Sequence, residues 1–179
     1  MKFAICNEMF GNQPFYQAWP FAYQLGYRGL EIAPFTLMPG EEFVDVRDIS
    51  SSRRDEVKQL AEDCELEVVG LHWLLAKTQE FYLTSPDAVV REKTVEYFKR
   101  LAQLCADLGG EIMVLGSPAQ RNLLPGVSYA EAEEYAAEVL RAVMSTCANL
   151  GVTIAIEPLG PTEGDFLLCL LYTSDAADE

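Results

Sequence analysis

The chain repeats one local sentence, in which an amphipathic helix ends at a Leu-Gly or similar break and a short apolar strand follows. Residues 2–6 read as a first strand and 14–25 as an aromatic-rich helix that stops at Gly26. Residues 29–35 form a second strand, 49–64 a helix with Ser50, Ser51 or Ser52 available as N-cap, and 67–74 a third strand. A long helix over 87–108 opens after Ser85-Pro86 and closes at Gly109-Gly110. Residues 111–115 are strand four, and a helix over 128–150, with Ser128 and Glu131 spaced as a capping box, leads into strand five at 151–158. The breaks at Leu108-Gly109 and Leu150-Gly151 lie 42 residues apart, close to one βα unit with its loops.

Alternating strands and helices, with Val, Ile and Leu in the strands, require a parallel sheet and hence an α/β barrel or a doubly wound sheet. Two features favour the barrel. No strand is followed by the Gly-x-Gly-x-x-Gly turn of a dinucleotide fold, and polar residues recur at the C-terminal strand ends: Asn7 and Glu8, Glu31, His72, Ser117 and Glu157. An eight-stranded barrel takes roughly 250 residues. The expected fold is therefore α/β, a partial (β/α)8 TIM barrel with about five parallel strands and four to five helices, three βα units short of closure.

Composition narrows the partners. A formal charge of −15 opposes a nucleic-acid surface, which needs clustered Lys and Arg, and fits a solvated acidic exterior. No apolar run approaches the ~20 residues of a membrane span, and the apolar stretch before Asn7 is too short for a signal peptide, so the expected location is cytoplasmic. Five cysteines lie far apart with no Cys-x-x-Cys pair, which points to buried free thiols rather than disulfides or a cysteine-rich zinc site.

Strand five, Gly-Val-Thr-Ile-Ala-Ile-Glu-Pro, reads as buried on both faces, so the Glu157 carboxylate at its end needs a use that offsets its desolvation. A metal ligand or general base meets that need; a rim carboxylate paired with Lys or Arg is the plainer reading. His72 is the only histidine. It fits a substrate or metal contact and equally a neutral ring packed by Leu71 and Trp73. Glu31 fits an orienting role on strand two better than direct catalysis. Asn7 and Glu8 read as a solvated loop, Arg121 as a surface residue or an anion contact beside Gly116-Ser117-Pro118, and Phe15, Tyr16, Trp19, Phe21 and Tyr23 as helix-to-barrel packing.

Four motifs in order, Gly29-Leu-Glu-Ile-Ala-Pro-Phe, Gly70-Leu-His-Trp, Leu115-Gly-Ser-Pro and Ile154-Ala-Ile-Glu-Pro-Leu, resemble the sugar phosphate isomerase/epimerase family of xylose isomerase-like TIM barrels over residues 1–168. The resemblance implies proton transfer next to the carbonyl of a sugar or sugar phosphate, assisted by a divalent metal (Mn, Mg or Co). In ketose 3-epimerases of this group the strand-five Glu binds the metal and exchanges the proton, and a Glu six residues later contacts the substrate. Glu157 and Glu163 match that spacing, although the intervening Pro-Leu-Gly-Pro-Thr departs from the epimerase pattern. His72 and Glu31 are the other expected substrate contacts. The remaining metal ligands of the family come from strands six to eight, so weak metal binding and no turnover are expected of this chain. Rival readings are a non-catalytic sugar-binding barrel, an endonuclease-type metal hydrolase of the same superfamily, which one histidine and no basic face oppose, and a half-barrel that works as a homo-oligomer.

The final segment 169–179 breaks the pattern. Its first ten residues back-translate as TGT CTC TTA TAC ACA TCT GAC GCT GCC GAC, which resembles a transposase adapter from sequencing libraries. The expected division is a native barrel fragment over 1–168 and a non-native tail over 169–179. Without Asp175, Asp178 and Glu179 the chain keeps 25 acidic against 13 basic residues, so the acidic reading survives.

Overall fold

A computed structural model describes residues 1–168; the segment read as an adapter lies outside the described residues. Five strands, β1 (Ala4–Cys6), β2 (Gly29–Ile32), β3 (Glu67–Leu71), β4 (Ile112–Leu115) and β5 (Thr153–Ile156), form one all-parallel sheet in sequential order. Four helices, α1 (Phe15–Gln24), α2 (Ser51–Asp63), α3 (Ala88–Asp107) and α4 (Tyr129–Leu150), occupy the crossovers. This is the partial barrel that the alternating pattern predicts.

The start and stop signals act as the sequence predicts. Ser50 caps α2 with its side chain, Ser128 and Glu131 close a reciprocal capping box on α4, and Gly151 ends α4 in the left-handed conformation at φ 69°, whereas α3 is capped by Asp87, which the sequence places as the helix's first residue after Ser85-Pro86. Pro34 and Phe35, read as the end of strand two, belong instead to a 3-10 turn over Pro34–Leu37, because Pro34 has no N–H to give a ladder. β3 likewise stops at Leu71 rather than residue 74. Trp73 takes a left-handed φ of 57°, which no strand can continue through.

Alternation along the strands separates two faces. Leu30, Ile32, Leu71, Met113 and Leu115 are buried in the core with Trp19 from α1, Val57 from α2, Phe98 and Leu101 from α3, and Val139 and Val143 from α4. Ion pairs stitch the helical layer, Arg54 to Asp107 at 2.7 Å between α2 and α3 and Arg91 to Glu138 at 3.0 Å between α3 and α4. The opposite face carries Cys6, Glu31, His72, Val114 and Ala155, all half-buried, and the exposed Glu157, and it is less covered. The reading of β5 as buried on both faces is corrected here: Thr153, Ile156 and Glu157 are exposed, because β5 is the last strand of the sheet and only β4 pairs with it among the described residues.

Of the aromatic group on α1, Trp19 is fully buried and stacks on Phe15 at 4.7 Å, while Tyr16 and Phe21 are more than half exposed and do not pack on the barrel as expected. No helix among the described residues is long and apolar enough to cross a membrane.

Candidate active site

The polar strand ends converge as parallel pairing dictates. Cys6 is the register partner of Glu31, so both side chains leave the same face, and Glu31 pairs with Gly70, two residues before His72. The His72 amide is still tied to the β2 end through Ile32 O at 3.0 Å. Its Nδ1 lies 3.6 Å from Glu31 Oε2 and its Nε2 lies 3.7 Å from Glu157 Oε2. These are close approaches rather than hydrogen bonds. The buried Nδ1 has no hydrogen-bond partner.

His72 reaches from β3 to Glu157 after β5 across the end of β4, and it does so because position 116 has no side chain. A Cβ on Gly116 would lie 2.0 Å from Glu157 Oε2 and 3.4 Å from His72 Nε2. Glu31, His72 and Glu157 thus form a row of carboxylate, imidazole and carboxylate over the strand ends. The Glu157 side chain is 46% exposed, so water or a ligand reaches it directly.

Several residues differ from their expected roles. Asn7 is buried rather than solvated: its Oδ1 accepts the Ala33 amide at 2.8 Å and its Nδ2 donates to Thr36 Oγ1 at 2.7 Å, fastening the end of β1 to the exit of β2. Glu8 Oε1 accepts from Trp73 Nε1 at 3.1 Å, which holds the left-handed turn after His72, while Glu8 Oε2 is buried and unpartnered. Arg121, expected at the surface, is fully buried. Its guanidinium donates to Leu115 O and Glu157 O, both at 2.8 Å, and so clamps the C-terminal ends of β4 and β5. Burial pulls the Arg121 pKa down and the Glu157 charge opposes that shift. Glu163 is not brought to the row. It is exposed, and its Oε2 accepts the Gly160 amide at 2.9 Å within its own turn.

Sequence reasoning missed Cys6 as part of this cluster. Cys6, Glu31 and His72 each offer one donor atom within 4.8 Å of one another. Burial and the neighbouring Glu8 carboxylate push the Cys6 thiol pKa well up. The only available signal was its place at the end of strand one. The other described cysteines, Cys64, Cys105 and Cys147, are free and buried or half-buried, as the spacing predicts.

Glu157 with His72 Nε2 supplies an oxygen and an imidazole donor at the open mouth, which suits Mn²⁺, Mg²⁺ or Co²⁺. The residues fit one side of such an ion. Two donors are short of the about six that these ions take.

Comparison with known proteins supports the same architecture. The family described as xylose isomerase-like TIM barrel matches residues 19–178. The fold superposes on D-psicose 3-epimerase with D-tagatose from Clostridium cellulolyticum H10, with a TM-score of 0.76 and 18% identity over 99% of this chain and 59% of that one. It also superposes on apo 3-keto-D-glucoside 4-epimerase from E. coli (TM-score 0.71, 17% identity, 100% and 65%). L-Ribulose 3-epimerase gives a TM-score of 0.69 at 19% identity, covering 100% of this chain and 58% of its own. This chain therefore spans about three fifths of the length of these structures. A search of curated proteins finds no match. The sequential parallel sheet, the polar row at its C-terminal end and the family match together establish that the chain belongs to the xylose isomerase-like TIM barrel family.

Proposed function

We propose that this chain forms the first five βα units of a divalent-metal-dependent sugar isomerase or epimerase, acting on a small sugar or sugar phosphate in the cytoplasm. The observation that carries the reading is the Glu31–His72–Glu157 row, spaced by a glycine at the one strand end that would otherwise block it. In this reading Glu157 moves the proton next to the substrate carbonyl and donates one oxygen to the metal. His72, flanked by Glu31 and Glu157, orients the Glu157 carboxylate and offers an N–H to a sugar hydroxyl. Glu31 positions the imidazole, and for Glu163 to contact the substrate from the loop after β5 its carboxylate must release the Gly160 amide. A bound divalent cation supplies polarisation of the carbonyl and stabilises the charge that develops beside it.

The five strands hold one carboxylate and one imidazole nitrogen at the mouth, so the 179-residue chain is expected to bind Mn²⁺ weakly and not to turn over. Activity is tested in a barrel completed with the C-terminal strands, supplied with Mn²⁺ and a panel of ketoses and their phosphates. Glu157→Gln should lower kcat by at least about 10²-fold, within the range general acid–base catalysis contributes. Unchanged epimerisation or isomerisation in that variant removes Glu157 from the mechanism. Gly116→Ala should also lose activity without losing fold, because the new Cβ displaces a carboxylate that has room to swing into solvent.

A further inference from the structure

Three carboxylates, Glu8, Glu31 and Glu157, gather at the strand ends, and among the described residues no Lys or Arg pairs with any of their side chains. Two Lewis-basic atoms there, Glu8 Oε2 and His72 Nδ1, are buried with no hydrogen-bond partner. A buried carboxylate oxygen and a buried ring nitrogen left unpaired are costly unless a cation meets them. The Cys6 thiol sits within the same group, its Sγ within 4.8 Å of donor atoms on Glu31 and His72.

From this convergence we propose a second metal site, separate from the Glu157 mouth, in which Cys6 Sγ, a Glu31 carboxylate oxygen and His72 Nδ1 bind a thiophilic divalent cation of the zinc type. The three donors come from three neighbouring strands, and the first two are fixed side by side by the β1–β2 register. That is why no sequence spacing announces the site. A sulfur, an imidazole nitrogen and a carboxylate oxygen form a three-ligand zinc set with the fourth position open to water. Tetrahedral Zn²⁺ needs its donors about 1 Å closer together than their present outer limit, a change within reach of side-chain rotation. On binding, the thiol gives its one proton to solvent as the metal–sulfur bond forms. His72 then serves both centres, with Nδ1 on the metal and Nε2 facing Glu157. The site shares Glu31 and His72 with the proposed sugar chemistry, but its readout needs no turnover, so the two readings fail separately.

The test uses the 179-residue chain titrated anaerobically with Co²⁺ under reducing conditions. One equivalent should produce a thiolate-to-cobalt charge-transfer band in the near ultraviolet, and Zn²⁺ should abolish it by displacement. Cys6→Ser should remove the band with the far-ultraviolet circular dichroism unchanged. Glu31→Gln, which preserves side-chain shape, should weaken Co²⁺ affinity by at least about tenfold, and this variant decides the matter if Cys6→Ser does not fold. Glu157→Gln should keep the thiolate band, because Glu157 supplies no ligand to this site and faces only the other nitrogen of His72. Absence of the band in the parent, its survival in Cys6→Ser, unchanged affinity in Glu31→Gln, or its loss in Glu157→Gln would each overturn the proposal.

Discussion

Arg121 holds two strand ends with one guanidinium, and its removal would take the donor from the half-buried Glu157 carbonyl and leave the Leu115 carbonyl with the Glu157 amide alone, at 3.2 Å. A buried unsatisfied group costs about 1–3 kcal/mol, so Arg121→Met is expected to lower unfolding free energy by about 1–3 kcal/mol, read as a shift of the urea midpoint. A shift below ~0.5 kcal/mol would mean that water replaces the guanidinium freely. The thiol of Cys105 makes a different prediction. Burial pushes its pKa up to about 12 from an ordinary 9.0, so the unfolded chain releases this proton at lower pH than the native one. The associated stability is complete below about pH 9 and is lost as pH rises from about 9 toward about 12; buried Tyr97, also pushed up, adds in the same direction. Denaturant midpoints measured from pH 8 to 11 should fall, and a Cys105→Ala variant should show a shallower fall. Placement was legible where strand position alone decides it, as for Glu31, His72 and Glu157, which meet at the strand ends. It was illegible for Asn7, Arg121 and Cys6, whose partners lie on other strands: Asn7 reads as solvated until the amide of Ala33 is brought to it.

At the scale of the element, capping residues carried most of the information. Ser128 and Glu131 exchange hydrogen bonds, Glu131 Oε2 accepting the Ser128 amide at 2.9 Å and Ser128 Oγ accepting the Glu131 amide at 3.3 Å, and both were readable from a spacing of three. Ser128→Ala should therefore cost about 1 kcal/mol, measured by chemical denaturation. An unchanged midpoint would show that Glu131 alone satisfies the first turn. Where elements were misread, a backbone constraint overrode the apolar pattern. The run from His72 to Leu74 looks like more strand, yet Trp73 turns left-handed and gives its indole N–H to Glu8. That contact spans 65 residues, and no local window contains it.

The whole molecule is a curved layer whose helical side is closed and whose strand-end side is open. β1 and β5 each pair with one neighbour among the described residues, and β5 presents Ile156 at 47% exposure beside its unpaired backbone. A parallel strand with free N–H and C=O groups and an exposed apolar side chain is a template for another chain, and among the described residues no helix covers it, the Glu157 carboxylate after β5 being the one charge beside it. The alternating pattern made the fold legible, but burial could not be read from it: the same Ile-Ala-Ile run is consistent with a central strand or an edge, and only the number of neighbours decides. The chain should accordingly associate in a concentration-dependent way. Ile156→Lys places a charge on that edge and should shift the population toward monomer, as read by sedimentation velocity at several loading concentrations. Val143→Lys, which buries the charge under α4 instead, should unfold the chain rather than disperse it. If Ile156→Lys leaves the sedimentation profile unchanged while the chain stays folded, association runs through another surface and the β5 edge is not the contact.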